Sequence, residues 1–248
     1  MTERGIVVVG GSDAGISAAL RIKELEPRVR VRLVLADAFP NFSICGLPFY
    51  HSGEVKDWQT LAHRTVDEVK ASGIEMLLNT TATRIVPDAH VVEVSGPNGA
   101  SELSYDKLIV GTGAQPSAPP IPGLELPRVH HLHFMESSFA FESSIVKGGA
   151  RRAVIIGTGY IGLEMADALV TRGLEVTVIG LEPTPLHTID PLLGLAVQHV
   201  LERHGVRVLT ETPVDHIERR DSALAVITKA DETLDTDVVL VATGVEPN

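Results

Sequence analysis

Two glycine turns and one cysteine carry the chemistry open to this sequence. Gly10-Gly11-Ser12-Asp13-Ala14-Gly15 follows the apolar run Ile6-Val7-Val8-Val9, and Gly157-Thr158-Gly159-Tyr160-Ile161-Gly162 follows Ala153-Val154-Ile155-Ile156. In a Gly-x-Gly-x-x-Gly turn the first glycine makes the tight strand-to-helix turn. The second lets the backbone approach a pyrophosphate, and the third lets the helix close on the strand. The phosphates then meet a helix N-terminus, where free N–H groups and the helix dipole favour negative charge. The second copy is intact. In the first, Ser12 stands for the middle glycine, and a side chain this small predicts binding with a slight displacement of the backbone. Two dinucleotide sites on one chain imply that one nucleotide hands electrons to the other. Cys45 is the single cysteine and the candidate next carrier. Its thiolate is the competent nucleophile. A lone cysteine holds oxidising equivalents as a mixed disulfide with an outside thiol or as a sulfenic acid.

These residues need elements to hold them. Residues 5–10 form a β-branched run suited to a strand buried on both faces. A helix over 14–25, stopped by Pro27, precedes a strand over 29–35, with Asp37 just past its end. Residues 41–50 read as irregular, broken by Gly46 and Pro48. Residues 65–71 read as a helix, 74–78 as a strand, and 81–104 as a small antiparallel meander. Leu108-Ile109-Val110 returns to the main sheet and ends on Gly111-Thr112-Gly113. The Pro-rich stretch 115–127 is the candidate linker. The second half repeats the plan: helix 135–147, strand 153–156, helix 160–172, strand 175–179, helix 191–203, strand 206–209, a meander within 214–240, and Val239-Leu240-Val241-Ala242-Thr243-Gly244. The fold class is α/β, with two Rossmann-like dinucleotide-binding domains, each with a small antiparallel β-meander. The expected domains are 1–114 and 115–248.

The chain has 248 residues, 44% of them hydrophobic, and a net charge of −11. That size allows two ordinary domains with sizeable cores. The acidic balance argues against nucleic acid or an anionic membrane as partner, since both call for a basic surface. One cysteine excludes an internal disulfide and points to a reducing, cytoplasmic setting. Met1-Thr2-Glu3-Arg4 carries no signal-peptide apolar region. The most apolar long segment, 153–170, contains Glu164 and Asp167 and reads as strand, turn and helix. His130, His131 and His133 lack the cysteines or carboxylates that would complete a metal site, so no metal is expected.

An acidic residue closing the second strand ordinarily accepts the ribose hydroxyls. Asp37 fits in the first half. In the second, Gly180 stands at the expected place and Glu182 is two residues late. No Arg or Lys lies near in sequence to hold a 2′-phosphate, and a nearby carboxylate would repel one. The reading leans to NADH over NADPH.

With these residues in view, the chain resembles a known family. Asn41-Phe42-Ser43-Ile44-Cys45-Gly46-Leu47-Pro48-Phe49-Tyr50 is similar to the redox-cysteine loop of the single-cysteine flavoprotein disulfide reductases, the group of coenzyme A disulfide reductase, NADH oxidase and NADH peroxidase. Tyr105 to Ala114, Pro119-Pro120-Ile121-Pro122-Gly123, and Gly157 to Glu164 match three further motifs of that family in order. The resemblance implies FAD in the first half, with Gly10, Ser12, Asp13, Ala14 and Gly15 at its pyrophosphate and Asp37 at its ribose. It implies the Thr81-Ala82 backbone at the adenine, and Ser43, Thr112 and Gly113 lining the site. NADH or NADPH would bind Gly157, Gly159, Ile161, Gly162, Glu182 and Gly244. Cys45 would sit beside the flavin ring, Tyr160 would gate the nicotinamide pocket, and Glu164 would support the nicotinamide end.

The activity implied is transfer of a hydride from NAD(P)H through FAD to Cys45 and on to a small disulfide or thiol substrate such as coenzyme A disulfide. The alternatives are an NADH oxidase or peroxidase, a flavoprotein reductase feeding an electron-transfer protein, and a non-catalytic redox-sensing module. Two departures bear on the choice. Relatives that handle peroxide or oxygen place a His where Asp13 stands, and a carboxylate beside a thiolate would raise the thiol's pKa. The loop before Cys45 is also shorter than in coenzyme A disulfide reductases. Members of the family continue into a third FAD segment and a C-terminal domain that forms a homodimer. The 248-residue chain therefore reads as a fragment, inactive alone.

Overall fold

The computed structural model describes residues 5–221 and 223–248. The reading of Met1–Arg4 lies outside the described residues. The chain divides into two units. The first holds residues up to Ser43, Gln59–Ala114 and Pro247–Asn248, and the second holds Ile44–Trp58 and Gln115–Glu246.

In the first unit β1 (Ile6–Val9) runs into α1 (Asp13–Leu25) and β2 (Val31–Val34). The chain then makes a 3-10 turn (Ile44–Gly46) and α2 (Leu47–Ser52), which belong to the second unit. It returns through α3 (Val66–Ala71), β3 (Ile74–Leu77), the meander β4 (Thr81–Val86), β5 (Val91–Gly96) and β6 (Gly99–Ser104), and then β7 (Lys107–Val110). The main sheet is parallel, in the order β3-β2-β1-β7. Alternation along β1 explains its unbroken apolar run. Val7 and Val9 pack with Val92, Val94 and Leu103 of the meander, while Val8 packs with Ile16 and Ala19 of α1 and Val69 of α3.

The second unit repeats this plan. It contains β8 (Ala114–Pro116, which shares Ala114 with the first unit), β9 (Val129–His131), α4 (Met135–Val146), β10 (Arg152–Ile156), α5 (Tyr160–Thr171) and β11 (Glu175–Ile179). Next come α6 (Pro191–Arg203), β12 (Arg207–Leu209), the meander β13 (Val214–Arg220), β14 (Ala223–Thr228) and β15 (Thr233–Thr236), then β16 (Val238–Val241) and β17 (Val245–Pro247, whose Pro247 falls in the first unit). The parallel sheet has the order β12-β11-β10-β16-β9. It is the first unit's order with one more strand, β9, beyond β16. Val154 and Ile156 face the meander, and Ala153 and Ile155 face the helices. The same alternation therefore builds both cores.

The structure departs from the sequence reading in two stretches. Residues 41–50 are not irregular throughout: α2 starts at Leu47, with Pro48 in its first turn, where a missing N–H costs nothing. Its packing on α5 places Ile44–Trp58, read as part of the first domain, with the second unit. The Pro-rich stretch after residue 115 is not a free linker. The Pro122 carbonyl accepts from the Ile217 N–H at 2.8 Å. A side chain at Gly123 would meet the Ile217 carbonyl at 2.1 Å.

Candidate functional site

Each sheet ends in a glycine turn built by the same contacts. Gly10 and Gly157 have φ of +109° and +122°, a region that L side chains avoid. Each also lies against the segment that closes its unit. A Cβ on Gly10 would sit 2.0 Å from the Gly111 carbonyl, and one on Gly157 2.2 Å from that of Ala242. The repeated ending in Thr-Gly is thus the partner of the repeated turn. A Cβ on Gly15 would meet the Gly10 carbonyl at 1.8 Å, and one on Gly162 the Gly157 carbonyl at 2.1 Å. These glycines are required by the fold alone.

The middle position differs. Gly159 has φ −80° and ψ −177°, open to any residue. A Cβ there would meet nothing within 4 Å. Neither backbone nor packing asks for glycine, so the empty volume suits a group outside the chain. Ser12 holds nearly the same conformation, φ −91° and ψ −167°. An extended φ of this kind accepts the Ser12 side chain without strain. Neither Ser12 nor Gly159 caps its helix with a side chain, whereas Thr65 and Asp190 cap α3 and α6. The helices after the two glycine turns thus keep N–H groups free for an anion.

The first unit gathers its predicted residues at the carboxyl edge of its sheet. The Gly10 N–H donates to the Val34 carbonyl at 2.9 Å, and the Gly111 N–H to that of Val9 at 2.8 Å. The Asp37 carbonyl accepts from the Asn79 N–H at 2.9 Å, and the Leu35 carbonyl from the Thr80 N–H at 2.8 Å. Those bonds bring Thr81 and Ala82, at the start of β4, to the side of Asp37. The Asp37 carboxylate accepts from the Phe39 N–H at 2.7 Å. Ser12, Asp13, Ala14, Thr112 and Gly113 are exposed and Ser43 half-buried at this edge. The residues present fit a dinucleotide: a glycine cradle, an uncapped helix and a carboxylate just past β2.

Sequence reasoning missed Asn41 here. It is buried, adopts φ +52°, and donates its Nδ2 to Asp13 Oδ1 at 2.6 Å. Asparagine tolerates that conformation, but nothing in the spacing announces a partner 28 residues away.

In the second unit a cleft of about 970 Å³ opens over the glycine turn. Gly157, Gly159, Tyr160, Ile161, Glu182 and Gly244 line it, with Pro119 to Pro122, Asp215 and Lys229. Tyr160 is 60% exposed, and Glu164, one turn on, is exposed as well. Strand register corrects the reading of Glu182 as late. Val9 pairs with Val34 and Ile156 with Ile179, so Asp37 and Glu182 both stand three residues past equivalent positions. Gly180 is occupied in another sense: a Cβ there would meet Thr158 Oγ1 at 2.5 Å. No Arg or Lys lies near Glu182 in sequence, but Lys229, one residue past β14, joins the lining. This second group fits a dinucleotide too.

Cys45 is exposed, in the 3-10 turn before α2. Among the described residues, no group of three or more His, Cys, Asp or Glu is placed to hold a metal ion, and no helix is long and apolar enough to cross a membrane. His130 Nε2 lies 2.8 Å from Ser144 Oγ.

The chain is similar to known proteins over nearly its whole length. The family model described as pyridine nucleotide-disulphide oxidoreductase matches residues 4–248. An NAD(P)H sulfur oxidoreductase (CoA-dependent) of Pyrococcus furiosus is 33% identical over the whole chain, which covers 55% of that protein. An NADH oxidase of Methanocaldococcus jannaschii is 29% identical over 98% of the chain and 54% of that protein. The solved NAD-dependent persulfide reductase from A. fulgidus superposes with a TM-score of 0.93 at 34% identity, over 98% of this chain and 46% of that one. The chain spans about half the length of the relatives it matches.

Proposed function

Because the chain belongs to the pyridine nucleotide-disulphide oxidoreductases, a family of NAD(P)H-dependent flavoenzymes, we propose that it carries the two nucleotide sites and the redox sulfur of an NAD(P)H:disulfide oxidoreductase. FAD belongs to the turn Gly10–Gly15 and the nicotinamide nucleotide to the turn Gly157–Gly162. The substrate is a small sulfur compound of the class of coenzyme A disulfide. The observation that carries this reading is Gly159, a glycine that neither conformation nor packing requires, facing an open cleft.

When bound, FAD would carry an electron pair from NAD(P)H toward the cysteine. The chain's own residues do the rest. Free N–H groups at the starts of α1 and α5 hold the two pyrophosphates. Asp37 and Glu182 accept ribose hydroxyls. Tyr160 covers the nicotinamide pocket and Glu164 supports its amide end. The Cys45 thiolate attacks one sulfur of the substrate disulfide, forms the mixed disulfide and expels the other sulfur as a thiolate. Two electrons and a proton then release the second thiol and restore the Cys45 thiolate.

Mass spectrometry of the chain after incubation with coenzyme A disulfide tests the reading. The expected result is one coenzyme A on Cys45, one equivalent of released thiol, and no adduct on Cys45→Ser. A single oxygen on Cys45 after peroxide, with no coenzyme A adduct, would move the assignment to an NADH oxidase. An unreactive Cys45, in an enzyme that still reduces a protein partner, would move it to an electron-transfer reductase.

A further inference from the structure

Three residues far apart in sequence close a ring inside the second unit. His51, on α2, is 0% exposed. Its Nδ1 lies 3.1 Å from Glu142 Oε2, on α4. Glu142 Oε1 accepts from Arg172 Nη2 at 2.6 Å, and Arg172 Nη1 donates to the His51 carbonyl at 2.9 Å. Burial pushes the Glu142 carboxyl up, but the bonds from His51 and Arg172 outweigh it and hold the group below the usual carboxylate range. An ionised carboxylate only accepts, so His51 Nδ1 carries the proton. Its Nε2 lies 2.9 Å from Ser138 Oγ. Phe141 closes the side with its ring edge-on at 5.0 Å.

The order hydroxyl, imidazole, carboxylate is that of a hydrolase triad. Here Ser138 and His51 are both 0% exposed, and no substrate reaches a nucleophile sealed in this way. The group binds only protein, and what it joins is informative. Arg172 caps the C-terminus of α5, the helix that begins at the second glycine turn. His51 lies on the short helix that starts two residues after Cys45. Buried polar rings are stiff, because removing one member leaves the others unpaired.

We propose that His51 is a positioning residue for Cys45: the ring His51–Glu142–Arg172, with Ser138, anchors the cysteine's turn to the helix that receives the nicotinamide nucleotide. The functional part rests on Cys45 being the redox sulfur. Alkylation of Cys45 does not depend on any substrate disulfide, so this proposal can fail while the coenzyme A adduct forms, and the reverse.

Hydrogen exchange and iodoacetamide alkylation of the chain test it. His51→Leu removes both side-chain bonds. His51→Asn keeps a donor near the Nδ1 position. In His51→Leu, exchange over residues 44–52 rises at least about tenfold and Cys45 alkylation at least about fivefold. Residues 163–170 of α5 stay within about twofold of the wild type. His51→Asn restores both readouts. If His51→Leu does not fold, Arg172→Lys, which keeps the charge and loses the fork, is read in the same way. The proposal is overturned if exchange over 44–52 is unchanged, if α5 loosens equally, if alkylation stays at the wild-type rate, or if His51→Asn behaves as His51→Leu.

Discussion

Asn41 Nδ2 donates to Asp13 Oδ1 at 2.6 Å, tying the segment before the cysteine turn to the start of α1. The Asn41 backbone adds two bonds, its N–H to the Gly11 carbonyl at 3.1 Å and its carbonyl from the His63 N–H at 2.8 Å. The left-handed φ of +52° is what lets side chain and backbone bond at once. Asn41→Ala loses the bond and strains an alanine, a cost of about 2–3 kcal/mol. Asp13→Ala loses only the bond, about 1 kcal/mol, since Asp13 is exposed. Urea midpoints of the two variants check the order; equal costs would count against the strained conformation.

The glycines of the second turn separate fold from ligand. Gly162→Ala places a Cβ 2.1 Å from the Gly157 carbonyl, so the turn must open, at a cost of about 3 kcal/mol or more. Gly159→Ala meets nothing within 4 Å and should leave stability within about 0.5 kcal/mol. Its methyl enters the space assigned to the pyrophosphate and should weaken NADH binding roughly tenfold. Calorimetric titration with NADH beside thermal unfolding reads both effects. Wild-type affinity in Gly159→Ala would remove the ligand from this turn.

Glu182 and Lys229 line one cleft with opposite charges. A 2′-phosphate gains from the lysine and loses to the carboxylate, while a ribose hydroxyl prefers the carboxylate. Lys229→Ala is expected to weaken NADPH about fivefold and NADH less than about twofold. Glu182→Gln is expected to weaken NADH and favour NADPH by a similar factor. Equal effects on both nucleotides would place these side chains away from the 2′ position.

Acid destabilises the second unit through His130. Burial, then the neighbouring His131 and His51, lower its pKa from 6.5 to about 4. The folded state therefore holds a neutral imidazole where the unfolded chain already takes up a proton. Stability is complete above pH about 6.5 and falls as pH drops toward about 4, where the folded imidazole also protonates. His130→Gln should flatten that slope. The single Trp58 packs edge-on to Phe139 at 5.1 Å, so its fluorescence reports this unit. Urea midpoints from pH 4 to 7 that fall equally in both proteins would assign the slope elsewhere.

Much of the architecture was legible because local rules and tertiary needs agree. Apolar runs such as Val7-Val8-Val9 are buried on two faces, and the glycine turns punctuate strand and helix at fixed spacing. The start of α2 was not legible, because Gly46 and Pro48 read as breakers although proline is at home in a first helical turn. Lys229 was not legible either, since its place depends on how β14 pairs with β13 and β15.

By itself the sequence determined the paired α/β plan, the two glycine turns and the one sulfur. Each of these is written in residues a few positions apart, where backbone sterics decide. Only the tertiary structure decided that the cysteine's turn packs with the second unit, that Glu182 matches Asp37, and that His51, Glu142 and Arg172 form a ring. The ring depends on groups 30 to 121 residues apart in sequence meeting at hydrogen-bond distance, and strand register and helix packing set all three facts, which no local pattern encodes.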